Sequence, residues 1–96
     1  MDRREYKISI TINRQRIGKV IIDPHYEVKH AASISDEIII ALVKSLDGRV
    51  FEPDDEDYPY SYYVTDKIDL DGKYYKMIWL LEEGQIYIGV VNAYRR

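Results

Sequence analysis

Only two histidines occur in the chain, His25 and His30, and they fall within six residues of each other around Lys29. Imidazole gives or takes a proton near neutrality, so this short segment is where acid–base chemistry would be sought first. Asp23-Pro24 is a helix-start signal, with Asp as cap and Pro at the first position. In the helix this predicts, His25 and Lys29 share one face, and Tyr26 and His30 share another. The two imidazoles would then sit about 140° apart around the axis, poorly placed for one metal ion. A metal site would have to borrow carboxylates from distant segments, and none is expected. The plainer reading of His25 and Lys29 is a solvated face near a helix start.

A second reactive constellation closes the sequence. Tyr94, Arg95 and Arg96 place a phenol and two guanidiniums at the end of a strand, and guanidinium is shaped for bidentate contact with phosphate. The plainer reading is a frayed, solubilising tail. A third feature is the tyrosine content, 10 residues against one Phe. Aromatic rings stack on unpaired bases in a sequence-tolerant way, a signal that gains weight only beside Lys67, Lys76 and Arg95.

Strands must hold these groups. Tyr60–Leu70, Lys73–Leu81 and Gln85–Tyr94 read as a three-stranded antiparallel meander, turned at Asp71-Gly72 and Glu83-Gly84. A two-residue loop at Asp71-Gly72 sets Leu70 opposite Lys73, Ile68 opposite Tyr75, Asp66 opposite Met77 and Val64 opposite Trp79. Apolar matching puts Ile86, Ile88 and Val90 on the side of Met77, Trp79 and Leu81. The opposite face then carries Tyr63, Thr65, Lys67, Tyr74, Lys76, Tyr87 and Arg95 around Ile78, Leu80 and Val91.

Upstream, Glu5–Ile12 alternates as a strand with one wet face, and Ile17–Ile22 returns after a polar turn, with Gly18 as a bulge candidate. Helices are expected over Pro24–Ala32 and Asp36–Leu46. Ser35 would cap the second, and Gly48 would stop it. The apolar run Ile38–Leu46 should lie across the sheet. The expectation is a single domain over residues 1–96: an α+β fold, β-β-α-α-β-β-β, with a hairpin at 5–22, two helices at 24–46 packed on one face, and the meander at 60–94.

A chain of 96 residues supports one compact core. Cysteine is absent, which removes thiolate catalysis, disulfides and cysteine-ligated zinc. No apolar run approaches the roughly 18 residues of a membrane span and no signal-peptide pattern precedes the first strand, so a soluble, cytoplasmic protein without membrane partners is expected. The net charge of −3 argues against generic nucleic-acid affinity. Much of that acidity is local, in Glu52, Asp54, Asp55, Glu56 and Asp57. Outside that loop 14 basic residues face 12 acidic ones. The loop lacks the spacing and terminal Glu of a calcium-binding loop. No phosphate-binding glycine loop, nucleophile elbow or zinc-protease motif occurs.

Lys29-His30, the break ending in Ile34-Ser35, the apolar helix after it, the strand beginning Asp71-Gly72-Lys73-Tyr74-Tyr75-Lys76 and the final Ile88–Arg96 strand together resemble the RelE/ParE-like toxins, nearest their BrnT-like branch. The likeness covers roughly Pro24–Arg96. It implies a RelE-like fold and a toxin of a type II toxin–antitoxin pair. Such a toxin is a metal-independent endoribonuclease acting on mRNA, often at the ribosome, without a cofactor, and is neutralised by a cognate antitoxin protein. Lys76 matches the basic residue of the family's glycine–aromatic–basic strand, Lys29-His30 the lysine–histidine pair, and Tyr94, Arg95 and Arg96 the basic, aromatic-rich last strand. His25 matches approximately. In that scheme His25 is the base, Tyr94 or His30 the acid, and Lys29, Lys76, Arg95 and Arg96 the phosphate clamp. Tyr63, Lys67, Tyr74 and Tyr87 would contact RNA. An extra strand pair and an acidic net charge depart from the family, and ParE-like members act on gyrase. The alternative is therefore a non-catalytic toxin or interaction module, binding a protein target through the tyrosine-rich face.

Overall fold

The structure is a computed structural model describing residues 2–96. Six strands form one curled sheet: β1 (Arg4–Ile12), β2 (Gln15–Ile22), β3 (Asp55–Asp57), β4 (Tyr60–Leu70), β5 (Lys73–Glu82) and β6 (Tyr87–Arg95). Their order is β1-β2-β6-β5-β4-β3, antiparallel throughout except for the parallel pairing of β2 with β6. Two tight turns set the register. Asn13 and Arg14 both take positive φ, as do Asp71 and Gly72, the twist that a two-residue hairpin demands.

One face of the sheet holds the core. Trp79 is wholly buried at its centre, with Tyr63 stacked on it at 4.1 Å between ring centroids and Phe51 edge-on at 5.2 Å. The Trp79 indole donates to Thr65 Oγ1 at 2.9 Å, so its one polar atom is satisfied inside the apolar layer. Asn13, in the β1–β2 turn, donates to the Tyr63 hydroxyl and accepts from the Phe51 amide, tying the two sides of the curl together. Helix α1 (Asp36–Lys44) covers this face with Ile39, Leu42 and Val43, and Ser35 caps it by accepting from the Ile38 amide. Each such side chain contributes roughly 1.5–3 kcal/mol by leaving water.

The expected α+β architecture is overturned. The protein is mostly β, with a single α-helix among the described residues. Asp23 does cap helical backbone, accepting from the His25 amide, but Pro24–Val28 is a five-residue 3-10 turn and not the first of two packed helices. Only Pro24 and Tyr26 of the turn are buried, so it lacks the continuous apolar stripe that would sustain a longer helix. It runs on from β2 alongside β6, where the Asp23 amide donates to the Val90 carbonyl. The acidic segment expected as loop contributes β3, an edge strand paired with Tyr60–Tyr62.

Two bulges correct the expected faces. Between Thr65 and Ile68 the β4 register shifts by one residue, with Lys67 at positive φ. Tyr63 therefore pairs with Trp79 and Thr65 with Met77, in place of Val64 and Asp66. Tyr63 and Thr65 turn into the core, and Val64 turns out. A second shift, between Ile78 and Trp79 on β5, falls opposite Val91-Asn92 and reverses the alternation of β6, so Tyr94 shares a face with Lys76 while Arg95 lies beside Tyr75 on the other. Ile86 precedes β6 and is 62% exposed, outside the core.

Candidate functional site

The face opposite α1 has no helix over it. At the end of β6, His30 and Tyr94 stack, ring centroids 5.2 Å apart and planes inclined by 26°. The 3-10 turn delivers the imidazole: the His30 amide donates to the Tyr26 carbonyl, and the His30 carbonyl accepts from the Ser33 and Ile34 amides. Lys76, directly across from Tyr94 on β5, holds its ammonium 6.0 Å from the same ring's centroid, at the outer limit of a cation–π contact. All three side chains are half-buried. They meet through ring faces. Among the described residues no hydrogen bond or ion pair occupies the imidazole nitrogens, the Tyr94 hydroxyl or the Lys76 ammonium. An imidazole, a phenol and a cation are thus gathered on one stretch of the open face, with no hydrogen bond to one another.

A shallow hollow of about 420 Å³ lies further along the same face. Leu80, Gly89 and Val91 form its floor, and Tyr60, Tyr62 and Tyr87 stand around it. Gly89 keeps the floor flat, because a Cβ there would lie 3.0 Å from Leu80 Cδ1. The Tyr87 hydroxyl donates to Glu82 at 2.5 Å; burial, then that carboxylate, pushes the phenol well above its ordinary range.

A different polar cluster sits between β1, the 3-10 turn and α1. Asp36 accepts two hydrogen bonds from the Arg4 guanidinium, at 2.6 and 2.9 Å, and one each from Tyr6 at 2.5 Å and Tyr26 at 2.8 Å. The Arg4 hydrogen bonds, with the two phenols assisting and partial burial opposing, hold this carboxylate down at about 2. Burial, then the bond to Asp36, pushes Tyr26 up to about 12. Every oxygen lobe is committed, so this is a structural tie. In the sequence Asp36 reads only as an acid favoured in a helix's first turn, and nothing there signals its partners.

The remaining expected site residues scatter. His25 and Lys29 are exposed, and the helix face they were to share does not form. Tyr63 is 5% exposed and belongs to the core; Lys67 sits on the β4 bulge. Tyr74 is on the open face and 51% exposed. Arg95 lines a separate hollow of about 300 Å³ on the α1 side, with Lys73 and Tyr75. Arg96 pairs with Asp66 at 3.1 Å. Tyr60 and Tyr62 escape the sequence reading because the β4 bulge decides which alternate tyrosines face out.

No family model matches the chain, and no curated protein or solved structure matches it. No helix among the described residues is long and apolar enough to cross a membrane.

Proposed function

We propose that this chain binds and cuts RNA as a metal-independent endoribonuclease, the toxin of a type II toxin–antitoxin pair acting in the cytoplasm on mRNA. The observation that carries the reading is the convergence of His30, Tyr94 and Lys76 on the uncovered face. Cutting RNA by its own 2′-hydroxyl needs three acts: removal of that proton, stabilisation of the phosphorane's charge, and protonation of the departing 5′-oxygen. His30 takes the 2′ proton as general base. Lys76 donates to the non-bridging oxygens as their charge grows. Tyr94 gives its hydroxyl proton to the 5′-oxygen and, by stacking, fixes the plane of the imidazole. The products are a 2′,3′-cyclic phosphate and a free 5′-hydroxyl. Relative to the sequence-based scheme, His30 replaces His25 as base, and Arg95 leaves the clamp because it lies on the other face.

Purified wild-type protein and its His30→Ala, Lys76→Ala and Arg95→Ala variants, given free and ribosome-bound mRNA, test the assignment. Wild type and Arg95→Ala should generate cyclic-phosphate ends, and the other two should lose about 10²–10⁴-fold in rate. Undiminished cutting by His30→Ala would remove the mechanism.

A second reading is favoured by exposed apolar surface on the same face. Val64 is 43% and Tyr74 51% exposed, with Ile78 across from Val64. A partner protein docked there suits a non-catalytic interaction module as well as a toxin held by its antitoxin. Growth arrest without RNA breakdown on induced expression would select the non-catalytic form.

A further inference from the structure

The hollow on the open face has a composition that the cleavage chemistry does not use. Its floor is apolar, its walls include three phenol rings, and it contains both signs of charge: Arg3 just before β1, Glu5 within it, and Asp23 just after β2. Each carboxylate spends one oxygen within the chain, Glu5 on Lys19 at 3.0 Å and Asp23 on the His25 amide at 2.9 Å. A phosphate would meet two carboxylates there. A neutral, flat ring with hydrogen-bond donors on one edge and acceptors on another would meet complementary groups.

We propose that this hollow is a base-recognition subsite for an unpaired guanine of single-stranded RNA. Among the four bases only guanine presents two adjacent donors, N1–H and the N2 amine, to an acceptor-only carboxylate. Adenine and cytosine place an acceptor beside their amine, and uracil flanks its single N–H with carbonyls, so each opposes a carboxylate with an oxygen or nitrogen lone pair. Guanine also carries O6 and N7, the pair that arginine reads most often. Asp23 or Glu5 reads the donor edge, Arg3 reads the acceptor edge, and a tyrosine, Tyr62 or Tyr60, stacks on the ring.

Position supports the assignment. The Gly89 floor and Tyr94 lie on one strand, about 16 Å apart at the usual strand rise. One short single strand laid along β6 reaches both. The inference rests on the RNA reading for its biological meaning, but its measurement does not depend on cleavage.

The test is titration of the ¹⁵N-labelled chain with guanosine, adenosine, cytidine and uridine 5′-monophosphates. Guanosine monophosphate should shift the Gly89, Val91 and Tyr62 amides and bind about tenfold or more tighter than the other three. Asp23→Asn with Glu5→Gln should abolish the preference; asparagine still accepts from the His25 amide, so the turn is retained. Tyr62→Ala should weaken all four nucleotides alike. Equal affinity for the four, or shifts confined to residues away from β6, would overturn the proposal, as would a hollow that answers only to peptides. Guanine binding by a chain that cuts no RNA would retire the nuclease reading and leave this one standing. RNA cleavage by a chain that binds the four nucleotides with equal affinity would do the reverse.

Discussion

Two clusters join the segment between β2 and α1 to the rest of the molecule, and each combines tyrosine with a cation. In the Asp36 cluster both carboxylate oxygens are fully engaged: Arg4 is bidentate, and two phenols complete the carboxylate. In the His30 cluster the contacts run through the face of the Tyr94 ring, and among the described residues no hydrogen bond or ion pair engages the imidazole nitrogens, the phenol or the ammonium. The same residue types therefore serve opposite ends. Saturated hydrogen bonding stores its free energy in the fold, whereas unspent donors and acceptors keep theirs for a ligand. The contrast predicts that damage to one cluster will appear in stability and damage to the other in activity.

The largest effect should come from His30→Ala, a loss of about 10²–10⁴-fold in RNA cleavage rate with the thermal midpoint unchanged. A matching fall in melting temperature would erase the distinction between the clusters. Next comes Asp36→Ala. Removing the carboxylate leaves two phenols and a partly solvated Arg4 without their acceptor, at a cost of about 2 kcal/mol, or a midpoint lowered by roughly 10 °C in a calorimetric scan. Cleavage per folded molecule should survive.

The titration of the same carboxylate gives a smaller, directional effect. Asp36 is held at about 2 in the fold against 3.8 ordinarily. Its contribution is full above pH 4 and is lost as pH falls toward 2, so denaturant midpoints should drop through that window in wild type and stay flatter in Asp36→Asn. Tyr26, raised to about 12, acts in the opposite sense. The fold favours its neutral form, and that stability fades as pH climbs from 10 to 12. Smallest of all in stability is Tyr94→Phe. It keeps the stack and should alter stability by less than about 0.5 kcal/mol while lowering cleavage rate. An unchanged rate would make Tyr94 a positioning residue alone.

Much of the sheet could be read from alternation and turn residues. Asp71-Gly72 set the β4–β5 register at Leu70 and Ile68 correctly, and Ser35 marked the start of α1. What escaped has a common cause. Local pattern fixes which residues alternate, but a single extra residue at a bulge inverts everything beyond it. That inversion carried Tyr63 into the core and, on β6, put Tyr94 in place of Arg95 on the face of Lys76. The turn at Pro24–Val28 was misread for a different reason: a cap and a proline signal a helical start, while its length is decided by the burial of Tyr26 beside Asp36, a contact set by tertiary packing. Of the candidate site, His30, Tyr94 and Lys76 were expected at one centre through the resemblance, but together with Arg95, which the β6 shift sets on the other face.

The place of β6 has one more consequence. It alone bridges the N-terminal hairpin and the β5–β4–β3 ladder, so without it the sheet separates into two pieces that share no backbone hydrogen bond. Its parallel junction with β2 joins segments far apart in sequence, so the loop-closure entropy of that pairing must be met before its contacts form. A chain severed at the exposed Glu83-Gly84 turn should accordingly behave as a two-fragment complementation system, in which a short C-terminal peptide restores the whole sheet and, with Tyr94, the stack on His30.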